Sequence, residues 1–429
     1  MVEKTPGEKP LIQVSKKQRT LYFAILYGLF VTDFIARIGI NSIMPLIQND
    51  LNLTDGEIGT LVSCVSLGMA IFVLPISYLG AKWSTKKAIT ISSIIWGVGS
   101  LVSGMANHFY TLLISRFMVG SGNSAYAALS NSLITGMYKR SQWGRQIGIY
   151  NTGMTIGMAL GAIFFANIAD TYHWRTAFYT IGVISLLFSA LSIFLPELKN
   201  ETEKATNVNT AEQVSMKSAL SFFKKNKVLL GVYLGAGTSV LVIQSILAYL
   251  SIYLTREMDM TVSAAAGITS ILALLTLIGY PLGGAILDKW YGKDKRARVW
   301  MPAICFIGCI VAYTIGFYNK SIMLLMMGQL FYSCANTCFH AASQELVPVW
   351  FKSISYGTYV MFCQIFGAIG PFCTGLISDR WGISAALIII QVMFAVSTII
   401  LAFSGFKYLK CYNNARFEEQ TAGCNSCPE

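Results

Sequence analysis

Asp33, Arg37 and Arg116 are the residues of this chain best placed to do chemistry, because each stands inside a long apolar stretch. A charge at the centre of a membrane helix costs about 2.5–3.5 kcal/mol on insertion scales, so such groups face a cavity or a partner. Arg37 follows Asp33 by one helical turn, which puts both on one helix face and lets them pair directly. Arg116 is then left uncompensated. Glu345, just before Val347-Pro348, lies at the end of its segment, too shallow to neutralise the centre. Two guanidiniums against one carboxylate leave surplus positive charge, and guanidinium forks match carboxylate or phosphate oxygens bidentately. An organic anion suits such a cavity. Proton coupling would run through Asp33: protonation releases Arg37 for substrate, and an arriving anion competes for the same arginine. Two plainer readings stand beside this one. Asp33 and Arg37 can form a permanent pair that only makes the charges tolerable, and Arg116 can pack against helix ends and carbonyls as a structural arginine.

Further polar residues inside apolar stretches are secondary binding candidates. Tyr150 and Asn151, Gln244 and Tyr249, and Asn336 and His340 offer hydrogen bonds to a sugar-acid hydroxyl or an amino group. Gln244 stands in the second half of the chain where Arg37 stands in the first, so the expected site is asymmetric. His340 is the one histidine expected at depth, since His108 and His173 fall in outer loops, and its titration range makes it a reserve coupling site.

The elements that hold these residues follow from hydropathy. Hydrophobic residues make up 54% of the 429 and charged ones 12%. Apolar runs of about twenty residues, enough to cross a hydrocarbon core of about 30 Å, recur along nearly the whole chain. Twelve such runs are read, at 21–45, 58–79, 88–106, 110–137, 147–168, 176–195, 229–254, 263–287, 299–318, 322–346, 355–377 and 383–406. In lipid only helices and closed barrels satisfy the backbone, and runs this long without alternation are helices. The fold class is an all-α membrane protein.

The basic residues set the expected orientation. With both termini cytoplasmic, most of the 32 Lys and Arg fall in cytoplasmic segments, and only Arg175, Arg256, Lys320 and Arg380 fall on the opposite face. The net charge of +12 is therefore accounted for by topology and calls for no nucleic acid. The first twenty residues are polar and basic, and the apolar run after them is too long for a signal core, so no cleavable signal is expected. Most cysteines lie within helices, where a thiol behaves as a small hydrophobe. Cys424 and Cys427 form a lone C-x-x-C, which is weak ground for zinc or redox work and is read as part of an unstructured tail.

The two halves repeat each other. Thr54 followed by Lys82-Trp83 recurs as Thr261 followed by Lys289-Trp290, and Gly148, Gly161 and Asp170 recur as Gly357, Gly370 and Asp379. The polar, charge-rich stretch between them reads as a linker. The expected organisation is a cytoplasmic segment 1–20, a six-helix bundle 21–195, a linker 196–228, a second bundle 229–406 and a cytoplasmic tail 407–429. Parallel repeats of this kind place a binding site between the halves near mid-membrane and alternate access by rocking. Gly153, Gly157 and Gly161, spaced by four, read as a helix-packing stripe.

These features resemble the major facilitator superfamily over essentially the whole chain. Its loop signature, roughly G-x-L-x-D-R-x-G-R-K, is matched in degraded form by Ser77–Lys82, Gly284–Lys289 and Gly375–Gly382. The resemblance implies a conformational latch at Lys82, Asp288, Lys289, Asp379 and Arg380. In the first copy the acid is replaced by Ala81, which shifts the latch toward Asp288. Within the superfamily the chain is similar to the anion:cation symporters and the spinster-like carriers. The stretch Arg116–Tyr126 is similar to their fourth-helix pattern R-x-x-x-G-x-x-E, Gly148–Gly153 with Trp174–Phe178 to their fifth helix and the following loop, and Arg37 precedes Pro45 as their arginine does. Two positions depart from the pattern: the acid before that arginine is Ala36, and the fourth-helix glutamate is Asn123. Both are positions those families are thought to use for proton coupling.

No P-loop, H-E-x-x-H, G-x-S-x-G or dinucleotide fingerprint is present in a cytoplasmic segment, so neither an enzyme nor an ATP-driven pump is expected, and no cofactor or metal is implied. The fifth apolar segment lacks the proline of a drug-antiporter motif. The expected function is secondary transport of a small organic anion, a monocarboxylate or sugar acid, coupled to protons or another ion, by a monomer spanning the plasma or bacterial inner membrane. Export of a lysolipid-like amphipath, uptake of amino acids or peptides, and a non-transporting sensor remain alternatives.

Overall fold

The computed structural model describes residues 12, 14–82, 84–139, 142–197, 226–347 and 352–424. Among the described residues the secondary structure is helical, without strands. In chain order the helices are α1 (Lys16–Ile38), α2 (Met44–Leu51), α3 (Asp55–Lys82), α4 (Thr85–Gly104), α5 (Phe109–Asn123), α6 (Tyr126–Met137), α7 (Trp143–Thr171) and α8 (Trp174–Leu191). They continue as α9 (Lys227–Glu257), α10 (Val262–Tyr291), α11 (Ala297–Tyr318), α12 (Ile322–Glu345), α13 (Lys352–Trp381), α14 (Ile383–Ile389) and α15 (Val392–Cys424). A single 3-10 turn, Gly39–Ile43, joins α1 to α2.

Among the described residues, eleven helical segments are long and apolar enough to cross a membrane. The fourth expected run, 110–137, departs from one continuous helix. It is broken between α5 and α6 at Ser124-Ala125, where the amide of Ser124 turns back to the carbonyl of Ser121 in a tight 3-10 step. Small polar residues around the break, Ser121, Asn123 and Ser124, compete for backbone hydrogen bonds and weaken the ladder there. The tail also differs from expectation. Residues 407–424 continue α15 as helix rather than irregular chain, and they contain no proline and a glycine only at Gly423. Cys427 of the C-x-x-C lies outside the described residues.

Helix starts are set by side-chain caps. Ser15 and Gln18 form a reciprocal capping box on α1, and Ser84 caps α4. The repeated threonines do the same work in both halves: Thr54 and Glu57 close a capping box on α3 at 3.1 and 2.9 Å, and the Thr261 hydroxyl accepts from the Ala264 amide at 3.2 Å at the start of α10.

The chain divides into two compact units, residues 1–201 with 250–273, and residues 202–249 with 274–429. In the first, α4 packs on α5 and α8, α3 on α5, and α1 on α7 and α8. Gly157 and Gly161 lie where α7 crosses α1: a Cβ on Gly157 would fall 2.8 Å from the Val31 carbonyl oxygen, and one on Gly161 would fall 3.1 Å from Ile35 Cα. The core there joins Phe30, Phe34, Trp96, Tyr126 and Tyr150. The first unit also holds the hairpin formed by the end of α9 and the start of α10. Ser251 donates to the Ser42 carbonyl at 2.7 Å and Ser270 to the Ala159 carbonyl at 2.8 Å. In the second unit α11 packs on α12 and α15, and α13 on α14.

Candidate functional site

The charged residues singled out by the sequence in the first unit converge on the C-terminal end of α1. Asp33 is 2% exposed, and its carboxylate accepts a short hydrogen bond from the side-chain amide of Asn123, the last residue of α5 before the helix break. Asn123 was visible in the sequence only as the residue standing where related carriers have a glutamate. Its spacing of seven from Arg116 puts the two on one face of α5, and that spacing is the signal that would have marked it.

Asp33 and Arg37 do not form the direct pair expected from their spacing; no ion pair joins them within 4.0 Å. The reason lies in what surrounds each. Asp33 turns to Asn123, whereas the Arg37 guanidinium lies 4.3 Å from the centre of the Phe34 ring and donates through Nη1 to the Met69 sulfur at 3.5 Å. The buried Nε of Arg37 has no hydrogen-bond partner. A guanidinium with five donors that meets only a thioether and a ring face has unused hydrogen-bonding capacity.

Arg116 is in the opposite condition. It is 1% exposed, donates through Nη1 to the Ala36 carbonyl at 3.2 Å and through Nη2 to the Ser103 hydroxyl, and stacks over Phe178 at 5.1 Å. Ser103 is itself bonded to Ser115 at 2.8 Å. The arginine thus ties α5 to α1 and α4, one residue from Arg37: both of its Nη atoms meet protein oxygens, while its Nε, like that of Arg37, is buried without a hydrogen-bond partner among the described residues.

Tyr150 on α7 is fully buried and stacks on Phe30 at 4.4 Å between ring centres; its hydroxyl makes no hydrogen bond. The Ser130 hydroxyl and the Asn131 side-chain oxygen on α6 are also buried without partners. Tyr126, one turn earlier, donates to the Leu26 carbonyl at 2.7 Å. Asn151 is exposed on α7.

The remaining polar candidates belong to the second unit. Gln244 on α9 is half-buried and lies beside Gly367 of α13. Tyr249 is fully buried and donates to the Pro371 carbonyl at 3.3 Å. Asn336 on α12 is half-buried and faces the Tyr280 hydroxyl. His340 lies on α12, and its side chain lies outside the described residues.

Among the latch candidates, the Lys82 side chain is likewise outside the described residues, while Asp288, Lys289, Asp379 and Arg380 are exposed at helix ends. Among the described residues Asp288 makes no ion pair. The acid engaged at that end of the second unit is Glu345, whose place near the end of its segment makes it too shallow to neutralise the centre. Its carboxylate pairs with Arg298 at 2.6 Å and accepts from the Tyr408 hydroxyl at 3.1 Å and from the Tyr291 hydroxyl. Asp288 is exposed on the last turn of α10.

At the other end of the first unit, Arg256 forks onto Asp55 at 2.8 and 2.9 Å and also donates to Gln48. Gln48 in turn donates to Asp55 at 2.7 Å. Asp50 binds Arg175 at 2.7 Å and the Trp174 indole at 3.0 Å. In the sequence both arginines are expected only as cations of the non-cytoplasmic face; their carboxylates stand far away in the chain and leave no local signal. Among the described residues no cluster of His, Cys, Asp and Glu could hold a metal ion.

Spanning helices, caps repeated in two halves and charged groups held inside the first unit define a multi-pass membrane transporter. Residues 26–371 match the model of the Major Facilitator Superfamily, and the chain belongs to that family. It is similar to the hexuronate transporter of Bacillus subtilis (strain 168), 26% identical over 377 residues that cover 85% of this chain and 89% of that one. It is also similar to a probable L-galactonate transporter of Escherichia coli (strain K12), 24% identical with 85% and 84% covered. Its fold is similar to that of a bacterial homolog to the human lysosomal transporter Spinster in an inward-facing and occupied conformation, with a TM-score of 0.81 at 18% identity, covering 93% of this chain and 99% of that one.

Proposed function

We propose that this transporter moves a sugar acid, with Arg37 as the cation that receives its carboxylate and Asp33 as the proton-carrying partner. The observation that carries the reading is the unused capacity of Arg37: a partly buried guanidinium facing a ring and a thioether, with no oxygen acceptor among the described residues. A carboxylate supplies the two oxygens that its fork fits. The hexuronate and L-galactonate specificities of the similar carriers support a hydroxylated acid over a plain monocarboxylate. Such a substrate presents hydroxyls as well as charge, and the unpaired hydroxyls of Tyr150 and Ser130 and the unpaired oxygen of Asn131 are the acceptors and donors that the first unit offers. Gln244 and Asn336 are the neutral groups proposed from the second unit.

Arg116 takes a different part. With both Nη atoms engaged, it positions the segment of α1 that carries Arg37. Asp33, one turn from Arg37, sets the charge balance of the site. Ionised, it holds Asn123 and offsets the arginine; protonated, it leaves the full cationic charge of Arg37 for the substrate, so that proton and anion bind together. Asp288, Lys289, Asp379, Arg380 and Lys82 are proposed as the latch of the alternating-access cycle.

The test is uptake into proteoliposomes of labelled glucuronate and galactonate, set against glucose, a lysophospholipid and an amino acid, with and without an inward proton gradient. Gradient-driven accumulation of the acids alone, lost in Arg37→Gln and uncoupled from the gradient in Asp33→Asn, is the expected result. Transport of glucose or of the lysolipid with Arg37→Gln still active would overturn the assignment.

A further inference from the structure

The second unit carries a groove that transport of a polar solute does not use. It lies among α10, α11 and α12, has a volume of about 370 Å³, and is lined by apolar or thiol side chains, among them Leu282, Ile286 and Trp290 of α10, Met301 and Cys305 of α11, and Phe331 of α12. Its volume falls in the range of small-ligand sites, roughly 300–1,000 Å³. Two local features make it a groove rather than a filled seam. Gly283 admits α12 closely, since a Cβ there would lie 2.6 Å from Cys334 Cα, and the small thiols of Cys305 and Cys334 leave space between the bulky Trp290 and Phe331. Leu282, Ile286 and Phe331 are exposed, so the groove opens on the surface that meets hydrocarbon.

Charge is arranged at one end of it. Residues 289–298, directly after the α10 part of the groove, hold Lys289, Lys293, Lys295, Arg296 and Arg298. Arg296 is paired with Asp294 at 3.2 Å, Arg298 with Glu345, and Lys295 sits over the Tyr291 ring at 3.9 Å. Lys289 and Lys293 are exposed and make no ion pair among the described residues. Lys289 follows Ile286 by three residues and so projects on the groove side of α10, whereas Asp288, two residues from Ile286, projects on the far side. An apolar slot in the membrane thus runs toward Lys289 and toward Lys293, whose amide donates to the carbonyl of the groove residue Trp290 at 2.9 Å, neither lysine in an ion pair among the described residues.

We infer that this groove binds an anionic phospholipid of the surrounding bilayer, one acyl chain lying between α10, α11 and α12 and the phosphate meeting Lys289 and Lys293. A zwitterionic lipid would fill the same slot but would bring no net charge to the lysines. Each lysine near a headgroup favours an anionic lipid by a factor of about five.

The test is native mass spectrometry of the full-length protein, stripped of lipid in detergent and offered phosphatidylglycerol or phosphatidylcholine with identical chains. The native protein is expected to retain one phosphatidylglycerol in preference to phosphatidylcholine, by about fivefold per lysine. Lys289→Gln with Lys293→Gln should bring the two lipids level, and Ile286→Trp, which fills the groove, should lower retention of both. A phosphatidylglycerol carrying a diazirine in its acyl chain gives a second measurement on the unaltered protein, independent of whether Ile286→Trp folds: crosslinks should fall on peptides containing residues 282–305 and 327–334. Equal retention of the two lipids by the native protein, an anionic preference that survives loss of both lysines, or crosslinks spread evenly over the spanning helices would each overturn the inference.

Discussion

The surroundings of Arg37 and of Arg116 are a controlled comparison within one unit. The two arginines are brought together at the end of α1, where Arg116 binds the carbonyl of the residue immediately before Arg37. One fork is occupied by a carbonyl and a hydroxyl and its ring contact is Phe178; the other meets only the Met69 sulfur and the Phe34 ring. Burial of a charge is costly unless its hydrogen bonds are replaced, so an arginine whose Nη atoms meet protein oxygens is expected to stabilise the fold, while one without such oxygens is the better candidate to receive a ligand. On the proposed reading, the number of oxygen acceptors at the Nη atoms, rather than residue type or depth, separates the two arginines.

The sharpest way to break the comparison is to remove the unoccupied fork. Arg37→Gln is expected to lower kcat/KM for a sugar acid by about 2–5 kcal/mol of transition-state binding, roughly thirtyfold to several thousandfold, because substrate loses its charged partner. Its thermal midpoint should stay close to the native one, since the guanidinium holds no oxygen of the protein. Uptake in proteoliposomes and a melting curve on the same preparation check both halves. A large fall in the midpoint would put Arg37 in the structural class with Arg116.

Arg116→Ala is expected to do the reverse, costing about 3–4 kcal/mol of stability as the Ala36 carbonyl and Ser103 lose their donor and a buried cavity opens. Ser103→Ala should reproduce about 1–2 kcal/mol of that. Chemical denaturation followed by tryptophan fluorescence reads these values. Stability unchanged in Arg116→Ala, with transport abolished, would move Arg116 into the binding site beside Arg37.

Much of this architecture can be read from the chain before any coordinates are seen. Hydropathy located the spanning segments, and the repeated Thr54 and Thr261 mark helix caps in both halves. The break in the fourth segment was hidden, because Asn123, Ser124 and Ala125 do not lower hydropathy enough to divide an apolar run; the break depends on local hydrogen-bond competition. The site was legible as to residue type and not as to pairing. Helical spacing put Asp33 and Arg37 on one face, but spacing on one helix says nothing of a better partner on another, and Asn123 of α5 was nearer for Asp33. The same limit hid Glu345 with Arg298 and Asp55 with Arg256, which are separated widely in sequence and adjacent only after packing.

Arg256 and Arg175 extend the comparison to the end of the first unit, where forks are occupied but solvent is near. Arg256 is held by a buried acid, Asp55, which Gln48 also braces, so removing Arg256 takes the counter-cation from a buried carboxylate. Arg256→Gln is therefore expected to cost about 1–3 kcal/mol, and a double-mutant cycle with Asp55→Asn should recover much of it. A coupling near zero would mean that the buried acid is satisfied by Gln48 alone.

Arg175 and Asp50 form the weakest member of the set. Their side chains are 24% and 37% exposed, so water competes for both charges and salt screens them. Arg175 keeps other partners when the acid is lost, since its Nη2 donates to the Ala106 carbonyl at 3.0 Å and its guanidinium lies 4.2 Å from the centre of the Trp174 ring. Asp50→Asn is thus expected to change stability by no more than about 1 kcal/mol, with the indole of Trp174 still able to donate to the amide oxygen. Thermal melts of Asp50→Asn and the native protein at low and high salt measure it, and the small difference should shrink further in salt. A loss of several kcal/mol, insensitive to salt, would show that this pair is shielded from water in the membrane and belongs with Arg116 rather than at the solvated end of the series.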